Sequence, residues 1–197
     1  MRNKHQKLFD RIANVYGLYF DYQKRKFDRM LDRIVNELDL FLYHDIIDFG
    51  CGTGALCSEL YRRGFRVTGV DASSKMLEIA KRKMNGEIVD FVRADLLEGT
   101  PFEDKSFDVS IASFVAHGLK PEERKKLYQE MKRVTRSLII IYDYNQKRSL
   151  QTNILESLEG GDYFGFIENI KAELNQSFDH LQVIDQGDLS ACYIVRL

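Results

Sequence analysis

A glycine-rich turn at residues 50–54 constrains the fold of this chain more than any other feature. It follows the short strand pattern DIIDF at 45–49 and precedes a helical pattern at 55–63, so a buried strand passes there into a helix. Glycine accepts positive φ angles and lets the backbone approach a ligand closely. The N–H groups that open the following helix favour a negatively charged group. The stretch IIDFGCGTGAL (46–56) therefore predicts a nucleotide-like ligand at the end of the first strand.

Strand and helix patterns alternate along most of the chain, which is typical of a parallel sheet with crossover helices. The end of the chain differs, because two strand patterns within 180–197 meet at Gly187-Asp188, a hairpin signal. A hairpin cannot be a parallel crossover, so the last strand is predicted to run antiparallel to the others. Helices are predicted at 4–14, 21–38, 55–63, 73–84 and 121–134, and strands at 45–49, 66–70, 87–94, 107–114 and 137–144.

Length, charge and cysteine content narrow the class of protein. The 197 residues suffice for one domain, and 29 Lys+Arg against 30 Asp+Glu leave no basic excess of the kind that nucleic-acid binders show. Three cysteines (Cys51, Cys57 and Cys192) without ligand spacing favour reduced thiols in a cytoplasm and argue against a zinc site. No run of about 18 apolar residues occurs, and the first residues hold no apolar stretch of signal-peptide length. We expect a cytoplasmic protein that binds neither nucleic acid nor membrane.

Two cofactors compete for the glycine turn. Residues 50–55 fit the dinucleotide pattern G-x-G-x-x-G/A, and Asp71 ends the second strand where an acid would bind a ribose. Asp48 weighs against a dinucleotide, because a carboxylate two residues before Gly50 would repel a pyrophosphate. S-adenosylmethionine (SAM) offers an ammonium group for Asp48 and a ribose for Asp71. The alternative for Asp48 is that it only caps the turn.

A third acid, Asp95, follows the third strand. It could accept a hydrogen bond from the exocyclic amine of adenine, with Ala94 and Leu96 offering backbone and apolar surface to the ring. An aspartate after a strand is more often a turn former. As the third acid at three successive strand ends, after Asp48 and Asp71, it favours one ligand crevice at the carboxyl edge of the sheet.

Together these segments resemble the class I SAM-dependent methyltransferases, and most closely the small-molecule branch with the generic methyltransferase domain. The resemblance covers about residues 45–145 and rests on IIDFGCGTG, VTGVDASSKMLEIAKRK, FVRADLLEGTPFEDKSFDVSIASF and SLIIIYDY. It implies a single Rossmann-like α/β domain over 1–197, with helices on both faces of a seven-stranded, mostly parallel sheet and an antiparallel C-terminal hairpin strand. Within it we expect an N-terminal helical cap (1–40), a SAM-binding core (45–145), a substrate-side helical region (146–177) and a C-terminal hairpin (178–197).

The resemblance also implies roles for individual residues. Asp48 and the turn would hold the methionine part of SAM, and Asp71 the ribose hydroxyls. Ala72 and Met76 would lie beside the adenine, and Ser113 near the methionine end. Tyr16 or Tyr19 belongs to a segment that in relatives folds over the cofactor. The residues expected to bind SAM are Asp48, Gly50, Cys51, Gly52, Gly54, Asp71, Ala72, Met76, Ala94, Asp95, Leu96, Ser113, Tyr16 and Tyr19; no metal site is expected.

Methyl transfer from a sulfonium is an in-line displacement, in which the protein mainly aligns the reactants and excludes water. A hydroxyl or thiol acceptor also needs a base, and His117 is the best candidate in the chain. The alternative is that His117 packs or caps a turn before the helix that starts at Pro121. Many relatives carry two adjacent histidines here, whereas this chain continues with Gly118. The motif [ND]-P-P-[YF], used on exocyclic amines of DNA or on protein glutamine, is absent, which argues against those acceptors.

The acceptor itself is not named by any motif. Residues 142–144 end the fifth strand and either line an acceptor pocket or are plain strand-end residues. The aromatic residues Tyr163, Phe164 and Phe166 form either a lid or the buried face of a helix. We predict transfer of a methyl group from SAM to a small-molecule acceptor, with release of S-adenosylhomocysteine (SAH). A nicotinamide-dependent oxidoreductase and a SAM-binding module without chemistry remain alternatives, and the oligomeric state stays open.

Overall fold

The computed structural model describes residues 4–145, 162–187 and 189–197. The strands form one seven-stranded sheet in the order β3-β2-β1-β4-β5-β7-β6, and the predicted Rossmann-like α/β class is confirmed. The helices are α1 (Lys4–Leu18), α2 (Phe20–Glu37), α3 (Ala55–Arg62), α4 (Ser74–Lys83), α5 (Pro121–Val134) and α6 (Tyr163–Ser177). The strands are β1 (Asp45–Phe49), β2 (Arg66–Asp71), β3 (Asp90–Arg93), β4 (Phe107–Ser113), β5 (Thr135–Tyr144), β6 (Leu181–Asp185) and β7 (Ser190–Arg196).

The chain divides into two compact units, Met1–Pro101 (unit 1) and Phe102–Leu197 (unit 2). Each carries its own strands, helices and buried side chains, and each is described by itself below. The interpretation of the whole chain as one domain stays a prediction. No helix in the described part of the chain combines the length and the apolar character needed to cross a membrane.

Unit 1 is built on three parallel strands, with β2 paired to β1 on one side and to β3 on the other. Strand β1 starts at the half-buried Asp45, and its other residues, Ile46, Ile47, Asp48 and Phe49, are all fully buried. Such a run is typical of a parallel strand covered on both faces. Helix α4 starts where predicted, because the Ser73 hydroxyl caps it by accepting a hydrogen bond from the Met76 amide at 3.2 Å.

Helices α1 and α2 cover unit 1 from outside, with α1 packed on α4 and α2 on α3. The buried residues of α2 recur at helical spacing, as the sequence predicted: Phe20, Phe27, Met30, Leu31, Ile34 and Val35. A charged network reinforces this packing. Arg63, which follows α3, pairs with Asp28 and Asp32 of α2 at 2.7 and 2.6 Å.

In unit 2, β4 pairs in parallel with β5, and β7 runs antiparallel between β5 and β6. The predicted antiparallel last strand is thus confirmed. Helix α5 begins at Pro121 as predicted, and the Glu123 carboxylate accepts a hydrogen bond from the Lys120 amide at 2.9 Å. Helix α6 is attached to α5 by Arg124, a fully buried cation whose guanidinium binds both carboxylate oxygens of Glu173 at 2.6 and 2.7 Å.

Three sequence predictions need comment. The third strand is shorter than the predicted 87–94, because Gly86 at φ 89° and a hydrogen bond from the Glu87 amide to the Met84 carbonyl turn the chain first. Residues 146–161 of the predicted substrate-side region, and Asp188 of the predicted hairpin turn, lie outside the described residues. Within α6, Tyr163 and Phe166 are buried while Phe164 is 36% exposed, which matches the buried helix face for the first two only.

Candidate functional site

The glycine turn between β1 and α3 adopts the backbone conformation that its composition predicts. Gly52 and Gly54 have φ angles of 54° and 82°, a region that side chains disfavour. A carbon added at Gly54 would lie 3.1 Å from the Ala80 side chain and 3.2 Å from that of Phe91, so this glycine also permits close packing. A carbon added at Gly52 would meet no atom of the described residues within 4 Å. The turn is therefore open at Gly52, where a ligand has room.

The end of β2 holds the turn in place. The amides of Gly50 and Cys51 both donate hydrogen bonds to the Val70 carbonyl, at 2.8 and 3.0 Å. Asp71 adds its carboxylate: Oδ2 accepts a hydrogen bond from the Gly52 amide at 2.9 Å, and Oδ1 accepts one from the Ser73 amide at 2.8 Å. The turn and the start of α4 are thus joined through one side chain.

Asp71 can accept hydrogen bonds from a ligand in addition to these two. A carboxylate oxygen can accept about two hydrogen bonds, so each oxygen can also receive a ribose hydroxyl. Burial raises the pKa of Asp71, and the amides of Ser73 and Gly52 act in the opposite direction by stabilising the charged form. Its environment suits a neutral hydrogen-bond donor such as a diol.

Asp48 lies in β1 just before the turn, and it is 0% exposed. Its Oδ2 accepts a hydrogen bond from the Cys57 thiol at 3.4 Å, whereas Oδ1 has no hydrogen-bond partner in the described part of the chain. Burial raises the pKa of Asp48 to about 7, and the charge of Asp71 adds to this while the Cys57 thiol opposes it. A buried acid with an unsatisfied oxygen suits a cationic partner.

The segment after β3 is placed next to this region by strand pairing. Ala94, Asp95 and Leu96 are all half-buried, and the Ala94 amide donates a hydrogen bond to the Asp71 carbonyl at 3.2 Å. Asp95 also accepts a hydrogen bond from the Leu97 amide at 3.1 Å, so it forms a turn, as the alternative interpretation held. Ala72 is half-buried as well.

The remaining predicted SAM ligands of unit 1 lie in, beside or directly after α1. Met76 is 2% exposed and belongs to a cluster with Ala13 and Ile79, against which Tyr16 packs. Met76 thus packs against α1, and its place beside adenine stays a prediction. Tyr19, at the junction of α1 and α2, is 58% exposed.

Three structural features of unit 1 suit the binding of SAM. Asp48 Oδ1 is an unsatisfied buried acceptor for an ammonium group, Asp71 can accept hydrogen bonds from a diol, and Gly52 leaves open space at the turn. The last predicted SAM ligand, Ser113, is half-buried at the end of β4 in unit 2.

Unit 2 contains a histidine–aspartate pair. His117 lies in a short 3₁₀ turn after β4, and its side chain is 13% exposed. Its Nδ1 is 2.8 Å from Oδ1 of Asp143, a fully buried residue near the end of β5. An ionised carboxylate can only accept hydrogen bonds, so Nδ1–H donates. The neutral ring then carries its proton-accepting lone pair on Nε2.

Asp143 accepts hydrogen bonds from backbone amides as well as from His117. Its Oδ2 accepts hydrogen bonds from the amides of Ala116 and His117 at 3.0 and 3.3 Å, and its Oδ1 accepts one from the Tyr144 amide at 2.8 Å. These donors compensate the burial of the charge and fix the orientation of the carboxylate. The imidazole therefore hydrogen-bonds to an acceptor that cannot rotate.

Aromatic rings surround the pair. The ring centroids of Tyr144, Phe114 and Tyr163 lie 4.9, 6.4 and 6.5 Å from that of His117, in edge-to-face arrangements. Phe114 has a φ angle of 53°, which is uncommon for a bulky residue and costs backbone energy. Tyr163 is 4% exposed, and its hydroxyl has no hydrogen-bond partner among the residues the structure describes.

The sequence identified His117 but not its partners. Asp143 was predicted only as a pocket residue or a strand end, although an acid inside the apolar run SLIIIYDY is a signal that it is paired. Nothing in the sequence showed that Phe114 has a positive φ angle. The unsatisfied hydroxyl of Tyr163 is likewise visible only in the structure.

Known proteins resemble this chain in sequence. The family model for a methyltransferase domain matches residues 46–137. The chain is 36% identical over 133 residues to a demethylmenaquinone methyltransferase of Thermotoga maritima, covering 65% of this chain and 55% of that protein. It is 30% identical over 132 residues to a malonyl-[acyl-carrier protein] O-methyltransferase of Priestia megaterium, covering 64% of this chain and 47% of that protein. The matches thus span about half the length of these relatives.

Among solved structures, a magnesium protoporphyrin IX methyltransferase from Synechocystis PCC 6803 with bound SAH has a TM-score of 0.61 to this chain at 19% identity. The superposition covers 87% of this chain and 83% of that one. At this identity the likeness shows a shared fold. Taken with the family match over residues 46–137, it shows that the chain has the fold of the class I SAM-dependent methyltransferases and is similar in sequence to members of that class.

Proposed function

We propose that this protein transfers a methyl group from SAM to a small-molecule acceptor and releases SAH. The observation that carries the proposal is the carboxylate of Asp71, fixed by the amides of Gly52 and Ser73 beside a turn that is open at Gly52. Asp71 accepts the ribose hydroxyls, and Asp48 faces the ammonium group with its unsatisfied oxygen. Bound SAM supplies an electrophilic methyl group on a positively charged sulfur.

The protein's own contribution to catalysis is alignment and proton transfer. His117 acts as general base, because its Nδ1–H bond to Asp143 places the lone pair on Nε2. The half-buried rings of Phe114 and Tyr144 limit the access of water around the imidazole. The family resemblance assigns Ser113, which is also half-buried, to the methionine end of SAM.

The small-molecule acceptor is supported by the names of similar proteins, which act on demethylmenaquinone and on magnesium protoporphyrin IX. A nicotinamide-dependent reaction is disfavoured by Asp48, since a pyrophosphate at the turn would face a buried carboxyl group. The three cysteines are free thiols, which supports a cytoplasmic location.

The test is calorimetric titration of the purified protein with SAH, with NADH as the competing ligand. We expect one-to-one binding of SAH and none of NADH. Asp71→Asn should weaken SAH binding by at least about tenfold, because it removes charge-assisted hydrogen bonds to the ribose. Asp90→Asn is the matched control, since Asp90 is an exposed carboxylate at the start of β3 and should leave the affinity unchanged.

The outcomes separate the alternatives. Binding of NADH in preference to SAH would overturn the proposal and restore the oxidoreductase. Equal losses in Asp71→Asn and Asp90→Asn would show that Asp71 is not a ligand. Binding of SAH without methyl transfer to any acceptor in a broad panel would indicate a SAM-binding module without chemistry.

A further inference from the structure

We propose that unit 2 carries the acceptor subsite and that this subsite selects a planar acceptor whose nucleophile is a hydroxyl group. We call the residues that form it the His117 cluster: Phe114, His117, Asp143, Tyr144 and Tyr163. The inference rests on the proposed function, because it names the acceptor class for the same methyl transfer. It assigns Asp143 as a positioning residue and Tyr163 as a residue that binds the acceptor.

The argument for a hydroxyl nucleophile starts from the need for a base. A neutral amine has a lone pair ready for displacement, and a thiol is already a few per cent thiolate at neutral pH. A phenol, with a pKa of about 10, holds its proton and gains most from a base. An imidazole fixed by a buried carboxylate, as His117 is by Asp143, provides that base. The hydroxyl class is the one that requires what this cluster contains.

The chemical step is balanced within these groups. The acceptor hydroxyl gives its proton to Nε2 of His117 while its oxygen forms a bond to the methyl carbon. The bond between that carbon and sulfur breaks, and its electron pair remains on sulfur, which leaves SAH. The products are a methyl ether and an imidazolium, and the imidazolium returns its proton to water.

Asp143 decides which nitrogen of His117 carries the proton. In Asp143→Asn only one oxygen remains, and it can take one of two places. At the Oδ2 place it accepts from the amides of Ala116 and His117, whereas at the Oδ1 place it meets only the Tyr144 amide and the imidazole. The two fixed donors favour the Oδ2 place, so the new NH₂ group faces Nδ1. The ring must then carry its proton on Nε2, where it cannot act as a base.

Tyr163 supplies the second recognition element. Its hydroxyl is buried and has no hydrogen-bond partner in the described part of the chain, a state that costs stability unless a ligand completes it. Its ring centroid is 5.0 Å from that of Tyr144 and 6.5 Å from that of His117. If an oxygen of the acceptor hydrogen-bonds to Tyr163, the rest of the acceptor molecule lies among these aromatic rings. A planar acceptor with a second oxygen fits this arrangement.

The first experiment tests the acceptor class with two probes of matched shape, 1,2-dihydroxybenzene and 1,2-diaminobenzene. SAH formation from SAM is measured for each, after SAH binding has been confirmed by calorimetry. We expect kcat/KM to be at least about tenfold higher for the dihydroxy probe, because only its nucleophile needs the base. A faster reaction of the diamine, or no reaction of either probe in a protein that binds SAH, would overturn the acceptor class. Loss of SAH binding itself would instead overturn the proposed function.

The second experiment tests Asp143 through the tautomer of His117, read by ¹⁵N NMR of the imidazole. The chain has 4 histidines, and the His117→Gln spectrum identifies the signals. We expect Nδ1–H in the parent protein, Nε2–H in Asp143→Asn, and a fall in kcat of about a hundredfold or more with a smaller change in KM. Asp179→Asn, an exposed position of unit 2, should change neither. An unchanged tautomer in Asp143→Asn would show that Asp143 is merely structural.

The third experiment compares two buried hydroxyls. Tyr128, on α5, also has a buried hydroxyl without a hydrogen-bond partner among the described residues, and it lies outside the His117 cluster. Tyr163→Phe and Tyr128→Phe should both leave the melting temperature unchanged or raised. Only Tyr163→Phe should raise the KM for 1,2-dihydroxybenzene, by about tenfold. Equal KM values in the two variants would remove Tyr163 from the subsite.

Discussion

Asp48 in unit 1 and Asp143 in unit 2 occupy comparable positions and have opposite surroundings. Each interrupts an apolar strand close to its carboxyl end, and each is 0% exposed. Asp143 accepts hydrogen bonds from three backbone amides and one imidazole. Asp48 accepts one weak bond from the Cys57 thiol and has an oxygen without a partner in the described part of the chain.

The difference shows that burial alone does not determine whether the ionised form of a carboxylate is stable, because the number of hydrogen-bond donors also matters. A buried charge with four donors is satisfied within the fold, so it can orient a neighbour such as His117 without rearranging. A buried acid with one weak donor destabilises its own ionised form, and burial raises the pKa of Asp48 to about 7. Unsatisfied buried groups are rare in native proteins, and their presence often marks a ligand site.

The largest effect is expected for Asp143→Ala, which should lower the free energy of unfolding by about 3–5 kcal/mol. The change leaves three amides, the buried one of Ala116 and the part-buried ones of His117 and Tyr144, without their acceptor. Urea unfolding measures the loss, and Asp179→Ala at an exposed position should stay within about 0.5 kcal/mol of the parent protein. A loss below about 1 kcal/mol would mean that other acceptors replace the carboxylate, and the contrast with Asp48 would disappear.

Asp48→Asn should act in the opposite direction, and in a pH-dependent way. Because the pKa of Asp48 rises from 3.8 to about 7 on folding, its favourable contribution is complete below about pH 3.8 and is lost as the pH rises through about 7. The asparagine does not titrate, so the stability of the variant relative to the parent protein should grow by about 2–3 kcal/mol from pH 5 to pH 8.

Urea unfolding of both proteins without ligand, at the two pH values, measures this difference. A difference that does not change with pH would show that Asp48 ionises normally in the folded protein. Calorimetry should also show weaker SAH binding in Asp48→Asn at pH 8, where the parent carboxylate is charged and can attract an ammonium group.

The smallest effect is expected for Cys57→Ser. A hydroxyl is a stronger hydrogen-bond donor than a thiol, so it should lower the pKa of Asp48 towards its ordinary value. The ligand-free variant should then lose about 1 kcal/mol less stability than the parent protein between pH 5 and pH 8. Cys192→Ser, at another buried cysteine, should not alter the pH dependence. If both variants behave alike, the thiol of Cys57 does not act on Asp48.

Local signals predicted the fold well. The glycine turn, the start of α5 at Pro121 and the hairpin at Gly187 each depend on residues within a few positions of one another in the sequence. The register of β4 on β5, which pairs Ser113 with Tyr142, decides that His117 meets Asp143, although 26 positions separate them in the sequence. No local pattern contains that information.

The same limit applies to the cofactor side. Resemblance placed Met76 beside adenine, and this stays a prediction; that Met76 packs against the side chains of α1 depends on how two helices pack, which no local pattern shows. The complete burial of Asp48 was likewise not predicted, because spacing in the sequence does not show how deep a residue lies. The sequence placed the candidate residues at strand ends, and their roles stay predictions; their hydrogen-bond partners and burial required the three-dimensional structure.

The double hydrogen bonding of Asp71 also has a consequence for the entropy of binding. The amides of Gly52 and Ser73 end on the same carboxylate, so the turn and the start of α4 cannot fluctuate independently. The backbone order that a ligand would otherwise have to impose is established when unit 1 folds. Binding at Asp71 therefore costs little conformational freedom there, and more of the interaction energy remains as affinity.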